Sequence, residues 1–217
     1  MVSRTEFRSA LDNAQIPLLG MMSAMAADAK PNVEVSDVAG YNAADWGKVS
    51  FFEKVKQRLG GQAKNPSKAV NAIKATMDSL ERRLAKAVST AGMIAGSDLQ
   101  DCIAQTHLAF DAHDFPASNR FGLMSPKVWD TLVFDNEDFF KSPAIFGPNS
   151  RVWGRMIWMR NRHLDAQAAI YHSSAVEGGI EPFDPKPGKL ACAYVGARVI
   201  NPDGVRVLRW DVPLKAA

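Results

Sequence analysis

The sequence is short of the residues that build most redox and metal machinery. Only two cysteines, Cys102 and Cys192, and four histidines occur among its 217 residues. The cysteines lie far apart and share no metal or redox spacing, so they read as small apolar fillers in a reduced, intracellular setting. There is no G-x-x-x-x-G-K-[ST], no G-x-G-x-x-G opening a helix and no C-x-x-C, so every strong cofactor signature of that kind is missing. The one glycine pair of the second half, Gly178-Gly179, leads towards Pro182, Pro185 and Pro187. It reads as an ordinary loop with no helix to hold a phosphate. Long apolar runs are missing too. Pro17 to Met25 is about half a membrane span, and Arg4, Glu6, Arg8 and Asp12 interrupt any signal-peptide core before Ile16. A soluble chain is expected. Charge of one sign is scarce: a net charge of +3 permits contact with nucleic acid but builds no basic face by itself.

What is present is the ordinary balance of a globular protein, 47 % hydrophobic and 23 % charged residues. A chain of this length buries one core, with room for two subdomains. Thr5 to Asn13 reads as a short helix with Thr5 as N-cap, followed by the Met-rich piece Leu18 to Met25, suited to packing on its own core or on another subunit. Residues 28 to 65 form a long excursion with β-like pieces at Asn32 to Val38 and Trp46 to Phe52. Residues 66 to 95 carry the strongest helical pattern. Val70, Ile73, Met77, Leu80, Leu84 and Val88 recur at spacings of three and four and make one apolar stripe. Gly92 or Gly96 supplies its stop, and Ser97-Asp98-Leu99-Gln100 reads as a capping box opening a second helix to about Phe110.

Beyond Arg120 the texture turns to β. Phe121 to Met124 reads as a buried strand, and Ser125-Pro126 as the N-cap and first residue of a helix carrying Val128, Trp129, Leu132 and Val133. Phe134 to Asn149 reads as loop, with Phe139, Phe140 and Phe146 as anchors. Val152 to Arg160, Ala166 to His172, Leu190 to Ile200 and Val205 to Trp210 read as strands, the last two joined by a tight Pro202-Asp203-Gly204 turn. Helices first and strands afterwards make an α+β pattern.

Three constellations invite a chemical reading. His107, Asp111, His113 and Asp114 are close in sequence, yet they offer no pair of the H-E-x-x-H kind on one helix face. A helix C-terminus with histidine near its negative end is the simpler reading. Tyr171-His172-Ser173-Ser174 sets His172 beside Ser173, the pair a hydrolase would use, but no G-x-S-x-G elbow exposes a nucleophile. Arg151, Arg155, Arg160 and Arg162 interleave with Trp153 and Trp158, a pattern able to track a nucleic-acid backbone and stack bases. In one continuous strand, Arg151, Trp153 and Arg155 would share a face opposite Trp158 and Arg160, which splits the patch. No catalytic residue, cofactor site or metal site is assigned. A small nucleic-acid-binding module built on the Arg151 to His163 strand stands as the alternative to the reading that follows.

From about Ser67 onward the sequence resembles the major capsid proteins of tailed bacteriophages, the Hong Kong 97-like fold shared with encapsulin shells. The carrying residues are Asp114-Phe115-Pro116-Ala117-Ser118-Asn119-Arg120-Phe121 followed by Met124-Ser125-Pro126-Lys127-Val128-Trp129-Asp130-Thr131-Leu132. The segment Asp135 to Phe140 with Gly147 to Met159, the strand end Tyr171-His172-Ser173-Ser174-Ala175-Val176, and the closing Gly196 to Val207 add to it. The resemblance implies an N-terminal arm over residues 1–28 and an extended loop over 29–65. It implies a peripheral domain over 66–97 and 186–217 with a spine helix from Ser67 to about Ala95, and an axial domain over 98–185. It further implies a non-enzymatic subunit that forms hexamers and pentamers with itself, assembled in the host cytoplasm and located in the virion. Packaged double-stranded DNA and portal, scaffolding or decoration proteins would be its other partners, with no membrane and no cofactor. The chain is short for the family, so its arm and loop would be abbreviated.

Overall fold

A computed structural model describes residues 3–25, 46–52, 66–184 and 189–211, with side chains over 3–25, 73–184 and 193–211. The elements run α1 (Arg4–Asn13), α2 (Pro17–Gly20), β1 (Ser23–Ala24), β2 (Trp46–Phe52), α3 (Pro66–Val88), β3 (Met93–Gly96), α4 (Leu99–Asp111) and β4 (Arg120–Met124). There follow α5 (Pro126–Asp135), α6 (Glu137–Lys141), β5 (Ser150–Trp153), β6 (Met156–Arg160), β7 (Ala168–His172), β8 (Val176–Phe183), β9 (Lys189–Val199) and β10 (Val205–Trp210). The class is α+β, with two separate sheets. Contacts divide the chain into two units, with boundaries at Leu80/Glu81, Glu177/Gly178 and Ala197/Arg198 in its later part.

The first unit is built on the sheet ordered β1-β8-β9-β2. β2 runs antiparallel to β9, Trp46 opposite Gly196 and Ser50 opposite Cys192. This strand of the excursion therefore belongs to the chain's own sheet; the expected strand Asn32 to Val38 lies outside the described residues. On β9, Ala193, Val195 and Ala197 are buried at every second position, the mark of a strand with one face inward. Helix α1 starts one residue earlier than its sequence suggests. Ser3 is the N-cap, accepting from the Glu6 amide while the Glu6 carboxylate returns to the Ser3 amide, a capping box. Phe7 and Leu11 are buried, and Arg4 and Arg8 both reach Glu181 on β8, at 2.7 and 2.5 Å. The Gly178-Gly179 pair is not a loop: it lies inside β8, and Met25 donates to the Gly178 carbonyl.

The second unit carries the sheet ordered β3-β10-β7-β4-β6-β5. β4 and β7 pair antiparallel at its centre, β4 and β6 parallel, and β10 lies between β7 (antiparallel) and β3 (parallel). All five residues of β4 and all five of β7 are buried, as expected of strands covered on both faces. Gly122 shows how closely: a Cβ there would lie 2.1 Å from the Trp158 ring. Trp158 is fully buried and its indole N–H donates to the Trp153 carbonyl at 3.0 Å, so the ring has little freedom to retreat. Gly122→Ala is therefore expected to destabilise by about 2–3 kcal/mol, the scale of overpacking in a tight core. Urea unfolding measures it, and an unchanged midpoint would show that β4 and β6 separate easily.

Several boundaries differ from the sequence reading. The later half of the apolar stripe is buried, with Leu80, Leu84 and Val88 fully so while Ile73 and Met77 are half-buried, but the helix ends at Val88 and residues 93–96 form β3. Ile94 pairs with Leu208; the break falls at Ser89-Thr90-Ala91-Gly92, where both hydroxyls bond back to helix carbonyls and compete with the ladder. The N-cap of α4 is Asp98, accepting from the Asp101 amide, not Ser97. Ser125 and Pro126 do open α5, though the serine side chain makes no cap bond. The stretch Val152 to Arg160 is not one strand but the hairpin β5–β6, turned at Gly154 and Arg155 with φ of 58° and 63°. A turn with both central residues at positive φ matches the twist of a two-residue hairpin. Finally, β9 and β10 are not a hairpin: a 3-10 turn, Pro202–Gly204, capped by Asn201, leads from one sheet to the other. The ladders join β3 and β10 to each other and, through β10, to β7, β4, β6 and β5.

Candidate functional site

The His107–Asp114 cluster does not converge on a point. Helix α4 presents His107 and Asp111 one turn apart, and both meet the guanidinium of Arg120, the first residue of β4. Arg120 is a buried polar hub, its side chain 2 % exposed. Nη1 donates to His107 Nδ1 at 2.6 Å, Nη2 to Asp111 Oδ1 and to the Phe115 carbonyl at 2.6 Å, and Nε to the Pro116 carbonyl at 2.9 Å. The Phe110 ring lies 5.5 Å beneath it. Asp114 adopts φ 58°, and His113 lies 3.7 Å from Asp203 across the 3-10 turn. Burial, and then the charge of Arg120, hold His107 below the ordinary imidazole pKa, with Asp111 opposing. The arrangement fastens α4 to β4 and leaves His107 and Asp111 committed to a guanidinium.

His172 caps the 3-10 turn Ser173–Ala175. Its Nδ1 accepts from the Ser174 amide at 3.2 Å and lies 2.7 Å from Ser174 Oγ. Sequence adjacency pointed to Ser173; the side chain that meets the imidazole is that of Ser174. The ring is 5 % exposed and packs 5.3 Å from Phe115, and burial is the main cause that depresses its pKa. With Nδ1 occupied by a backbone N–H, this histidine works as a cap, whereas a general base is held for a proton it must abstract.

The basic-aromatic patch dissolves once the hairpin is seen. Trp153 lies 5.6 Å from Phe139 and 6.4 Å from Trp158, and Phe139 lies 5.0 Å edge-on to Trp129. Trp158 is fully buried and withheld from bases, and Trp153, half-buried, has its ring engaged with Phe139 and Trp158. Arg151 sits over the Trp129 ring at 5.9 Å, and Arg160 pairs with Asp130 at 3.2 Å. Arg155, at the hairpin turn, is exposed. The nucleic-acid alternative loses the stacking surface it needed.

The surface feature the sequence reading only partly found is apolar. Phe134 is 85 % exposed, Phe140 57 %, Ile145 53 % and Phe146 40 %, all within thirteen positions of one another, inside the segment expected to be loop and anchors. Of the three expected anchors, only Phe139 is buried. Phe134 was legible in principle, because the face Val128, Trp129, Leu132, Val133 leaves the next residue off the buried stripe. An open cleft of about 830 Å³ lies elsewhere in the second unit, between the start of α5, the Leu164–Gln167 loop and the end of β10. There the Gln167 amide pairs with both backbone groups of Trp210, at 2.8 and 2.9 Å. Lys127, Arg209, Asp165 and Asp211 line it; their mixed charge favours no one ligand class. Cys102 is buried and free, its thiol pushed up by burial, as a filler should be; the Cys192 side chain lies outside the described residues. Among the described residues, no helix is long and apolar enough to cross a membrane.

No family model matches the chain, and no curated protein does. Solved structures do. It is similar to a structure titled Mycobacterium phage Che8, at 13 % identity over 76 % of this chain and 70 % of that one, with a TM-score of 0.49. It is similar to a virus-like particle from Pyrococcus furiosus, at 14 % identity over 94 % and 98 %, with a TM-score of 0.46. A third is the holo-SrpI encapsulin complex from Synechococcus elongatus PCC 7942, at 12 % identity over 79 % and 75 %, with a TM-score of 0.46.

Proposed function

We propose that this chain is a shell-forming subunit, the major capsid protein of a tailed bacteriophage, which self-assembles into an icosahedral head enclosing double-stranded DNA. The observation that carries the reading is the exposure of four large apolar side chains within one short stretch, Phe134, Phe140, Ile145 and Phe146, since exposed apolar surface beyond scattered single residues marks contact with another protein. The order of motifs from Asp114 to Val207 supports the same reading: Arg120 is the buried hub of the second unit, and Ser125-Pro126 starts α5. In this reading the subunit works as a surface, without catalysis, and residues 98–185 form the axial domain. The protein is then located in the virion.

Sedimentation velocity and negative-stain microscopy of the purified chain at micromolar concentration test it. Capsomer rings or closed particles are expected, since subunit contacts in such shells bury standard interface areas or more. Strictly monomeric protein across several salt concentrations would overturn the reading. Replacing Phe134 and Phe140 by serine is expected to reduce the assembled fraction at least tenfold, the scale of losing about 1.4 kcal/mol per contact. The unfolding midpoint should stay within error, because exposed side chains contribute little to the fold. Unchanged assembly would show that this face is not the contact.

A further inference from the structure

The bond between Arg120 and His107 holds only in one charge state of the imidazole. A guanidinium carries donors and no acceptor and stays charged at any working pH, so Nδ1 of His107, 2.6 Å from Nη1, must offer a lone pair. His107 is therefore neutral, with its proton on Nε2. A proton on Nδ1 would set donor against donor and charge against charge at that separation. We propose that His107 is an acid-sensitive latch: on taking a proton at Nδ1 it breaks with Arg120, and the corner joining α4 to β4 loosens.

The hub makes this more than a local event. The guanidinium that His107 helps to hold also donates to the carbonyls of Phe115 and Pro116, so a displaced Arg120 frees the turn between the two elements. The charged groups around the latch favour that outcome. From α4 itself comes Asp111, which attracts the proton but is 62 % exposed and so screened. From β4 comes Arg120, and from β10 comes Arg206, whose guanidinium lies 6.0 Å from the same Phe110 ring that Arg120 covers. From the end of β7 comes His172, packed on Phe115. His113 beyond the end of α4 faces Asp203 instead. The direction follows from linkage. His107 has a lower pKa folded than unfolded, held there by burial and then by Arg120, so the unfolded chain takes the proton first. Stability is complete above the unfolded value of about 6.5 and declines as pH falls from there towards the folded value. His172, also depressed by burial, contributes in the same sense, so the two must be separated.

Urea unfolding of the full chain between about pH 8 and pH 5, bracketing the imidazole range, tests this for wild type, His107→Gln and His172→Asn. Glutamine keeps an acceptor for Arg120 without titrating, and asparagine keeps the cap. His107→Gln is expected to flatten the acid decline, reducing proton uptake on unfolding near pH 6 by up to about one; His172→Asn should leave that part in place. A decline as steep in His107→Gln as in wild type overturns the proposal. Should that variant not fold, the histidine ring resonances of the folded wild type decide: His107 titrating below the ordinary imidazole value sustains the latch, and at or above it overturns it.

Discussion

Arg120→Met is expected to destabilise the chain by about 2–5 kcal/mol, the scale of leaving two or three partly buried acceptors without a donor. Most domains are stable by only about 5–15 kcal/mol, so the variant should lose much of its folded population under mild denaturant. The reason is what remains behind. The carbonyls of Phe115 and Pro116 and the Nδ1 of His107 each lose a donor, and an unsatisfied buried acceptor costs about 1–3 kcal/mol. Methionine replaces the stem of the side chain but none of its five donors. Asp111→Asn makes the contrast. Asp111 is 62 % exposed, so its pair with Arg120 is screened on one side, and the loss should stay within about 1 kcal/mol. Denaturant unfolding of both variants decides. An Arg120→Met loss no larger than that of Asp111→Asn would mean that water enters the corner and satisfies it.

Leu80→Asp is expected to abolish soluble folded protein. Leu80 is fully buried, and so are Leu84, Ala85 and Val88 further along α3. A carboxylate there enters the buried apolar face of the helix, and a buried charge without a partner costs several kcal/mol before any loss of packing. Removing a buried leucine adds a further 2–5 kcal/mol. Lys86→Asp places the same charge on the exposed side of the same helix and should leave the protein soluble with its circular dichroism unchanged. If Leu80→Asp folds, the stripe does not face a core and the register of the helix is wrong.

Both predictions rest on features of different legibility. The α3 stripe was readable because a helix imposes a period of 3.6, and six apolar residues at spacings of three and four satisfy it without knowledge of what they pack against. Its end was not readable: either Gly92 or Gly96 could stop the helix, and the pairing of Met93–Gly96 with β10 is what makes that stretch a strand. The α+β class, the strand at Arg120–Met124 and the start of α5 were legible for similarly local reasons. Gly178-Gly179 misled, because glycines mark loops until a neighbouring strand supplies hydrogen bonds, as β9 and β1 do for β8.

Side-chain roles were less legible than elements. In the sequence, His107 and Asp111 stand out only as a pair one helical turn apart, and Arg120 only as part of the stretch from Asp114 to Phe121. Nothing in a linear chain says that a guanidinium thirteen positions away from a histidine will share its lone pair. The tryptophans of the hairpin illustrate the same limit. A single strand would have set Trp153 and Trp158 on opposite faces, but the turn at Gly154 and Arg155 returns the chain and brings the two rings together.

Amino-acid order alone determined what depends on near neighbours: the helical period of α3, the start of α5 at Ser125-Pro126, the mild net charge, and the lack of any strong cofactor signature. Tertiary structure alone decided what depends on distant partners. It put β9 and β10 in different sheets despite the short turn between them, buried Phe139 while leaving Phe140 outside, and turned a cluster of titratable residues into a hub around Arg120. The physical reason is range. Backbone geometry and capping act over a few residues, whereas burial and charge pairing are set by whichever segments the fold brings into contact.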